Sequence, residues 1–325
     1  MIRIGIFGYG NLAKGVEKAV LKNPDFKLNY VFTRRNPDDV KVLTNGVKVV
    51  SAKDVVLYKD EIDVLVLCGG SLSDLPVQTP ELVKYFNVID SFDTHKNIKT
   101  HFMNVDKVAK ETNHVGLISI GWDPGMFSLV RVISEAALPD GKSYTFWGPG
   151  VSQGHSDAIR RIEHVIDARQ YTIPLDKALN QVRDLKMPIF KTRDMHKRVC
   201  YVVVDDPKNE RYVEEKIKTM PNYFDEYDTE VNFISLDELK KNHNTLPHGG
   251  FVLRSGITSE NTNHVIEYSL KLDSNPEFTA SVMVSYARAV YRIAKRKEFG
   301  AKTIIDIAPK DIASEDYFEL LSHKI

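Results

Sequence analysis

The stretch Met1–Val20, MIRIGIFGYGNLAKGVEKAV, decides how the rest of the chain is read. Arg3 to Gly8 (RIGIFG) is a short apolar run that ends in glycine. From Asn11 to Asn23 apolar residues then recur at Leu12, Val16, Ala19 and Val20 with helical spacing. The order is strand, tight turn, helix, and the turn carries Gly8-x-Gly10-x-x-Ala13. Tight strand-to-helix turns use glycine in any case, so the pattern alone is weak. In this position Gly8 permits the turn, Gly10 lets the backbone approach a pyrophosphate, and Ala13 keeps the helix close to the sheet. The N–H groups that open the helix, those of Asn11 and Leu12, then face phosphates.

The second strand, Lys27–Thr33 (KLNYVFT), selects among dinucleotides. An NAD site places Asp or Glu at its end for the ribose 2′-hydroxyl, whereas this chain reads Thr33-Arg34-Arg35. Two guanidinium groups there suit a 2′-phosphate, with charge-assisted hydrogen bonds. The expected cofactor is therefore NADP; the bland alternative is a solvated basic turn. A buried-type strand at Asp63–Cys68 ends in Gly69-Gly70-Ser71, and Cys68, Gly69, Gly70 and Ser71 are assigned to the same nucleotide site. Val88–Ser91 and Val115–Ile120 continue the alternation around a helix at Asn97–Thr112. This predicts an α/β fold with a Rossmann-type doubly wound parallel sheet over residues 1–121.

Residues 122–274 read as a second, α+β domain with an open mixed sheet, interleaved for dimerisation and substrate binding. A helix is expected from Asp123-Pro124-Gly125, with Asp123 as N-cap, to about Leu138, and another from near Ser156. Longer strands fall at Arg198–Val204, Glu230–Ile234 and Val265–Leu272. Ser235 with Glu238, and Ser274 with Glu277, fit capping boxes, the latter opening a long helix from Pro276 to about Lys297. The segment from about 275 to 325 is expected to return to the first domain.

Lysine plus arginine and aspartate plus glutamate both total 44 in 325 residues, so the net charge is zero and no global field favours nucleic acid or an anionic membrane. A small-molecule partner is the default. Cys68 and Cys200 sit in apolar runs without metal-site or disulfide spacing, and no metal is expected. Neither a secretory leader nor a membrane span is evident, so a cytoplasmic protein is expected.

A nicotinamide cofactor implies hydride transfer, so the remaining search is for acids, bases and anion receivers near the carboxyl ends of the parallel strands. Asp90-Ser-Phe-Asp93 and Gly121-Trp122-Asp123-Pro124-Gly125 each supply a carboxylate beside an aromatic ring. Asp123 before proline is also a routine N-cap, and Asp93 before Thr94-His95 is also a turn residue. As a pair they suit a cationic amine. His95 and His101 read as surface or turn histidines. Gln153-Gly154, ahead of a helix, suits a substrate carboxylate. Thr172, Arg198 and His248 are individually uninformative, and Asn275 before Pro276 reads as a helix-cap residue, with ligand contact the alternative.

GYGNLA, TRR, ISIGWDPGMFS, TFWGPGVSQGHSDAIRR, HKRVCYVVV, TMPNYF, LPHGG and LKLDSNPEFTAS together resemble the meso-diaminopimelate dehydrogenase family, from the first strand to near the C-terminus. The resemblance implies NADP-dependent, reversible oxidative deamination of the D-centre of meso-2,6-diaminopimelate to L-2-amino-6-oxopimelate, which cyclises to tetrahydrodipicolinate, with release of ammonia. It implies a homodimer or a larger assembly. It places Asp93, Asp123 and Trp122 around the reacting amino group, Gln153 and Gly154 at the adjacent carboxylate with Asp157 nearby, and Phe146 and Trp147 along the cleft wall. Thr172, Arg198 and His248 become receivers of the distal carboxylate, with Asn275 at the same end. The alternatives are a dihydrodipicolinate reductase-like NADP enzyme and a non-catalytic NADP-binding sensor.

Overall fold

The computed structural model describes residues 1–325. Its chain divides into two compact units, Met1–Leu129 with Pro276–Ile325, and Val130–Asn275. In the first unit, β1 (Ile2–Phe7) leads through the glycine turn into α1 (Asn11–Leu21), and β2 (Phe26–Thr33) and β3 (Lys48–Ser51) follow. Next come β4 (Val64–Leu67), α2 (Leu75–Leu82), β5 (Val88–Asp90), α3 (Ile98–Thr112) and β6 (Val115–Leu117). Strand alternation explains the layering. Ile2, Ile4 and Ile6 of β1, with Val64 and Val66 of β4, are buried in one apolar cluster, whereas Phe7, Leu65 and Leu67 belong to a second cluster with Leu75, Val83 and Val105.

The helix expected from Asp123 starts three residues later, as α4 (Met126–Ala137). Asp123 lies two residues ahead of the N-cap position of this helix. Trp122 instead bridges to Gly125 in a tight turn, and Met126 N–H and Phe127 N–H donate to the carbonyls of Gly121 and Trp122 at 3.0 and 2.8 Å. Gly125, at φ +132°, lies so close to Gly121 that a Cβ would collide with its carbonyl.

The second unit holds two sheets. One is built from β7 (Gly141–Trp147), β12 (His248–Ser259) and β13 (Thr262–Leu272), and is antiparallel in the order β13-β12-β7. The other contains β8 (Gly150–Val151), β9 (Val165–Pro174), β10 (His196–Val204) and β11 (Asp228–Phe233), ordered β11-β10-β9-β8, with only β10 and β11 parallel. The mixed sheet was expected; its antiparallel companion was not distinguished. Four helices of this unit are α5 (Gln153–Arg160), α6 (Asp176–Arg183), α8 (Glu210–Lys218) and α9 (Leu236–Asn242), with the single turn α7 (Thr192–Met195) between α6 and β10. Helix α5 begins three residues before Ser156, capped by the Ser152 hydroxyl.

The chain then re-enters the first unit through α10 (Asn275–Lys295) and β14 (Gly300–Lys302), which pairs with β6. The completed seven-stranded sheet is parallel and runs β14-β6-β5-β4-β1-β2-β3. Its order reverses at β1 and β4, the switch point where open parallel sheets bind ligands. Helix α10 packs against α1 at Gly15, where an added Cβ would sit 2.8 Å from that of Ala280.

Candidate active site

The crevice at the switch point is built by three strand ends. Gly8, Tyr9 and Gly10 follow β1, Thr33, Arg34 and Arg35 follow β2, and Cys68, Gly69 and Gly70 follow β4; together with Asp74 and Gln78 they line a cavity of about 300 Å³. A Cβ on Gly10 would meet nothing within 4 Å, so the space beside the helix start is open. Arg34 is held bidentately by Asp74 at 2.8 and 3.1 Å, and the Arg35 guanidinium donates to the Tyr9 carbonyl at 2.6 Å. The Thr33 hydroxyl accepts from Arg35 N–H at 3.1 Å. Two oriented cations beside an open, N–H-rich turn fit a dinucleotide that carries a 2′-phosphate. Asn11 and Leu12 are the first residues of α1, and desolvation pushes the pKa of the partly buried Cys68 thiol up.

One clamp on this crevice was missed. Glu17, fully buried, accepts from the Tyr9 hydroxyl and from Leu43 and Thr44 N–H groups at 2.8 and 2.6 Å. The signal was available: with Ala13, Val16 and Val20, Glu17 falls on the apolar stripe of α1, where a carboxylate needs internal donors.

The loops after β5 and β6 share one buried carboxylate. Asp90 accepts from Phe92 N–H (3.0 Å), Ser119 N–H (2.9 Å), the Thr79 hydroxyl (2.7 Å) and His101 Nε2 (2.8 Å). His101 is therefore neither a surface nor a turn histidine: it is buried on α3, with Phe92 stacked on its ring at 4.2 Å. Ser119 takes the left-handed conformation at φ +59°, a cost that this network holds in place. The two loops so anchored carry Asp93, which is exposed and whose N–H donates to the Ser71 hydroxyl at 2.6 Å, and the half-buried Asp123. Trp122, largely buried, meets Phe127 edge-on.

In the second unit, strand register lines up residues expected to receive an anion. Gly150, Thr172, Arg198 and Thr229 form a row across β8, β9, β10 and β11. Gly150 has no Cβ because His248 runs directly beside it. The Arg198 guanidinium, 6% exposed, donates to the Thr172 hydroxyl and lies 3.8 Å from the ring centre of Tyr227. Its Nε is buried without a hydrogen-bond partner, and no carboxylate stands among the groups that influence it; burial pulls its pKa below the ordinary arginine value. Burial, and then the nearby Arg198 charge, push His155 and His196 down to about 4, so both are neutral at pH 7. His196 Nε2 accepts from Trp147 N–H at 2.8 Å, and its ring stacks on the Trp147 indole.

The other expected residues divide. Gln153 and Gly154 are exposed at the first turn of α5, and Asn275 is the first residue of α10, its N–H donating to the Leu246 carbonyl at 2.9 Å. Asp157 is exposed and paired with Arg160. Phe146 corrects the expectation of a cleft wall: it has no exposed surface and belongs to the core with Tyr144, Leu179 and Leu253, while its neighbour Trp147, 41% exposed on the opposite strand face, presents the ring. Tyr227, His155 and His196 were missed, because nothing local in the sequence ties them to Arg198.

Residues 121–274 match the family described as the diaminopimelic acid dehydrogenase C-terminal domain. Meso-diaminopimelate D-dehydrogenase of Ureibacillus thermosphaericus is 55% identical over 322 residues, covering 97% of this chain and 98% of that protein. The chain belongs to the meso-diaminopimelate D-dehydrogenase family. Among solved structures, the Corynebacterium glutamicum enzyme in complex with DAP superposes with a TM-score of 0.92 at 41% identity, covering 100% of this chain and 99% of that one. An engineered D-amino acid dehydrogenase bound to NADP+ gives 0.87 at 39% identity with the same coverage. No helix is long and apolar enough to cross a membrane.

Proposed function

We propose that this protein is an NADP-dependent meso-2,6-diaminopimelate D-dehydrogenase, in which the D-centre loses hydride to NADP and the resulting imine takes up water to release ammonia and yield L-2-amino-6-oxopimelate. The observation that carries this reading is Arg198: a buried guanidinium whose partners are the Thr172 hydroxyl and the Tyr227 side chain, with no carboxylate among them, is suited to receive a substrate anion. Thr172, its partner across the strands, and His248, which runs beside Gly150 at the end of the same row, are assigned to the same distal carboxylate, with Asn275 at that end. Gln153 and Gly154, at the first turn of α5, are assigned to the carboxylate next to the reacting centre.

Arg34 and Arg35 would hold the 2′-phosphate and the β1–α1 turn the pyrophosphate. The chemistry that NADP supplies when bound is acceptance of a hydride. The chain's part is to bind, orient and manage a proton. The D-centre ammonium must lose a proton before its carbon can give up hydride, and Asp93 or Asp123 accepts it, directly or through water. Trp122 shields that group from bulk solvent. A homodimer formed through the second unit belongs to the same proposal, and light scattering on the purified chain tests it.

The decisive assay supplies NADP with separate meso, L,L and D,D isomers and follows the absorbance of the reduced cofactor. Reduction with meso strongly preferred is expected. Equal rates with L,L, or reduction with none of the three, would overturn the assignment.

A further inference from the structure

The guanidinium of Arg198 is oriented from one side by Thr172, which takes a hydrogen bond from Nη1, and from its face by Tyr227, whose ring centre lies 3.8 Å away. The Nε edge is left without a partner although it is buried. Nothing else in the strand row fixes the plane of the fork. Tyr227 precedes β11 on the connection from α8, and it is half-buried, so its ring is not a core residue of the sheet. We propose that Tyr227 is a specificity-determining residue: its ring is the platform that sets the guanidinium plane, and so aims the open edge of Arg198 at the distal carboxylate. This rests on the assignment of Arg198 to that carboxylate.

The reasoning is geometric and electrostatic. A carboxylate is bound bidentately only when it is coplanar with the guanidinium, so a fork free to swing loses one of its two hydrogen bonds. A ring face beneath the cation fixes the plane, and the Tyr227 hydroxyl, which also acts on Arg198 through a hydrogen bond, brings no carboxylate charge to compete with the substrate. It also offsets part of the cost of a buried positive charge, because the negative face of the π system attracts it. An aspartate at this position would pair with Arg198 and occupy the edge the substrate needs. An aromatic ring orients the cation and leaves the edge open.

The test compares Tyr227→Phe, Tyr227→Leu and Arg198→Met in the full chain with NADP, using two D-amino acids of equal length. D-2-aminopimelate carries the distal carboxylate, and D-2-aminoheptanoate does not. Tyr227→Leu is expected to lower kcat/KM for the first about 3- to 30-fold, mainly through KM, and to leave the second unchanged. Tyr227→Phe, which keeps the ring face, is expected to match the parent on both. An equal loss on both substrates, or no loss on either, overturns the proposal, as does a Phe variant as impaired as the Leu variant. Arg198→Met separates the two levels. If it abolishes the preference for the carboxylate substrate while Tyr227→Leu does not reduce it, the platform role alone fails. If Arg198→Met also leaves the preference intact, the assignment of Arg198 fails and the platform role with it.

Discussion

Replacing Arg198 by methionine should weaken catalysis and strengthen the unliganded protein, and the two effects share one cause. In the parent, a 6% exposed cation is kept in the strand row by the Thr172 hydroxyl and the Tyr227 side chain, with no counter-ion. Burying a charge costs several kcal/mol, and a cation–π contact with a single hydrogen bond returns about 1–3 kcal/mol of it. Methionine fills a similar volume with no charge to desolvate, so a net gain of about 1–2 kcal/mol is expected, seen by calorimetry as a melting temperature higher by a few degrees. The substrate carboxylate meanwhile loses its receiver. Truncating one partner of a buried charge pair costs about 2–4 kcal/mol, a fall of roughly 30- to 1,000-fold in kcat/KM for meso-diaminopimelate. Saturating substrate should raise the melting temperature of the parent by mass action and leave that of the variant nearly unmoved. An unliganded variant less stable than the parent, or kcat/KM within threefold of it, would refute the reasoning.

Further outcomes follow from the same geometry. Arg34→Asp with Arg35→Asp should raise the KM for NADP at least tenfold more than that for NAD, since only NADP presents a phosphate to the pair; steady-state kinetics with both cofactors decides this. Asp93→Asn or Asp123→Asn should lower turnover about 100-fold with an unchanged circular dichroism spectrum, and full turnover in both variants would remove the proton-acceptor assignment. Gly15→Leu should lower the melting temperature by several degrees, because even its Cβ would sit 2.8 Å from that of Ala280 on α10, and overpacking costs about 1–3 kcal/mol. The neutral His196 sets a pH limit. Its folded pKa of about 4 lies below the unfolded value of about 6.5, so the stability it contributes is complete above about pH 6.5 and is lost as the pH falls towards 4. Urea midpoints across that window should fall less steeply in His196→Gln, and parallel profiles would count against the shift.

The legible parts of the sequence were those where local pattern and tertiary role coincide. Gly8, Gly10 and the apolar strand ahead of them announced β1, its turn and α1, because a parallel sheet needs an apolar run and a phosphate turn needs glycine at the same spot. Arg34 and Arg35 could be placed at the crevice because they stand at the end of β2, beside the β1–α1 turn. The start of α4 was misread because Asp-Pro-Gly is also a capping signal, and the turn that delays the helix depends on contacts between Gly121, Trp122 and Met126. His101 looked superficial because its burial depends on Asp90, eleven residues away and on another element. Tyr227 could not be tied to Arg198 at all, since a register across parallel β10 and β11 brings their neighbourhoods together.

The residues that break local rules gather where chemistry is assigned. Ser119 accepts a left-handed backbone, Asp90 and Glu17 are buried carboxylates satisfied by hydrogen-bond donors alone apart from His101, and Arg198 is a buried cation without an anion. The two carboxylates are compensated within the protein: Asp90 takes four hydrogen bonds and Glu17 three, and one of Asp90's comes from Ser119 N–H, whose own hydroxyl is buried without a partner. Only Arg198 is left with its charge uncompensated by the chain. A deficit that the fold leaves open, in a row of residues otherwise closed by hydrogen bonds, is what a binding site for an anion must look like before the anion arrives. Stabilisation of the protein by dicarboxylic substrate should therefore exceed that by its monocarboxylic analogue at equal saturation ratios only if Arg198 supplies the difference. Thermal shifts measured with both ligands, in the parent and in Arg198→Met, isolate that term.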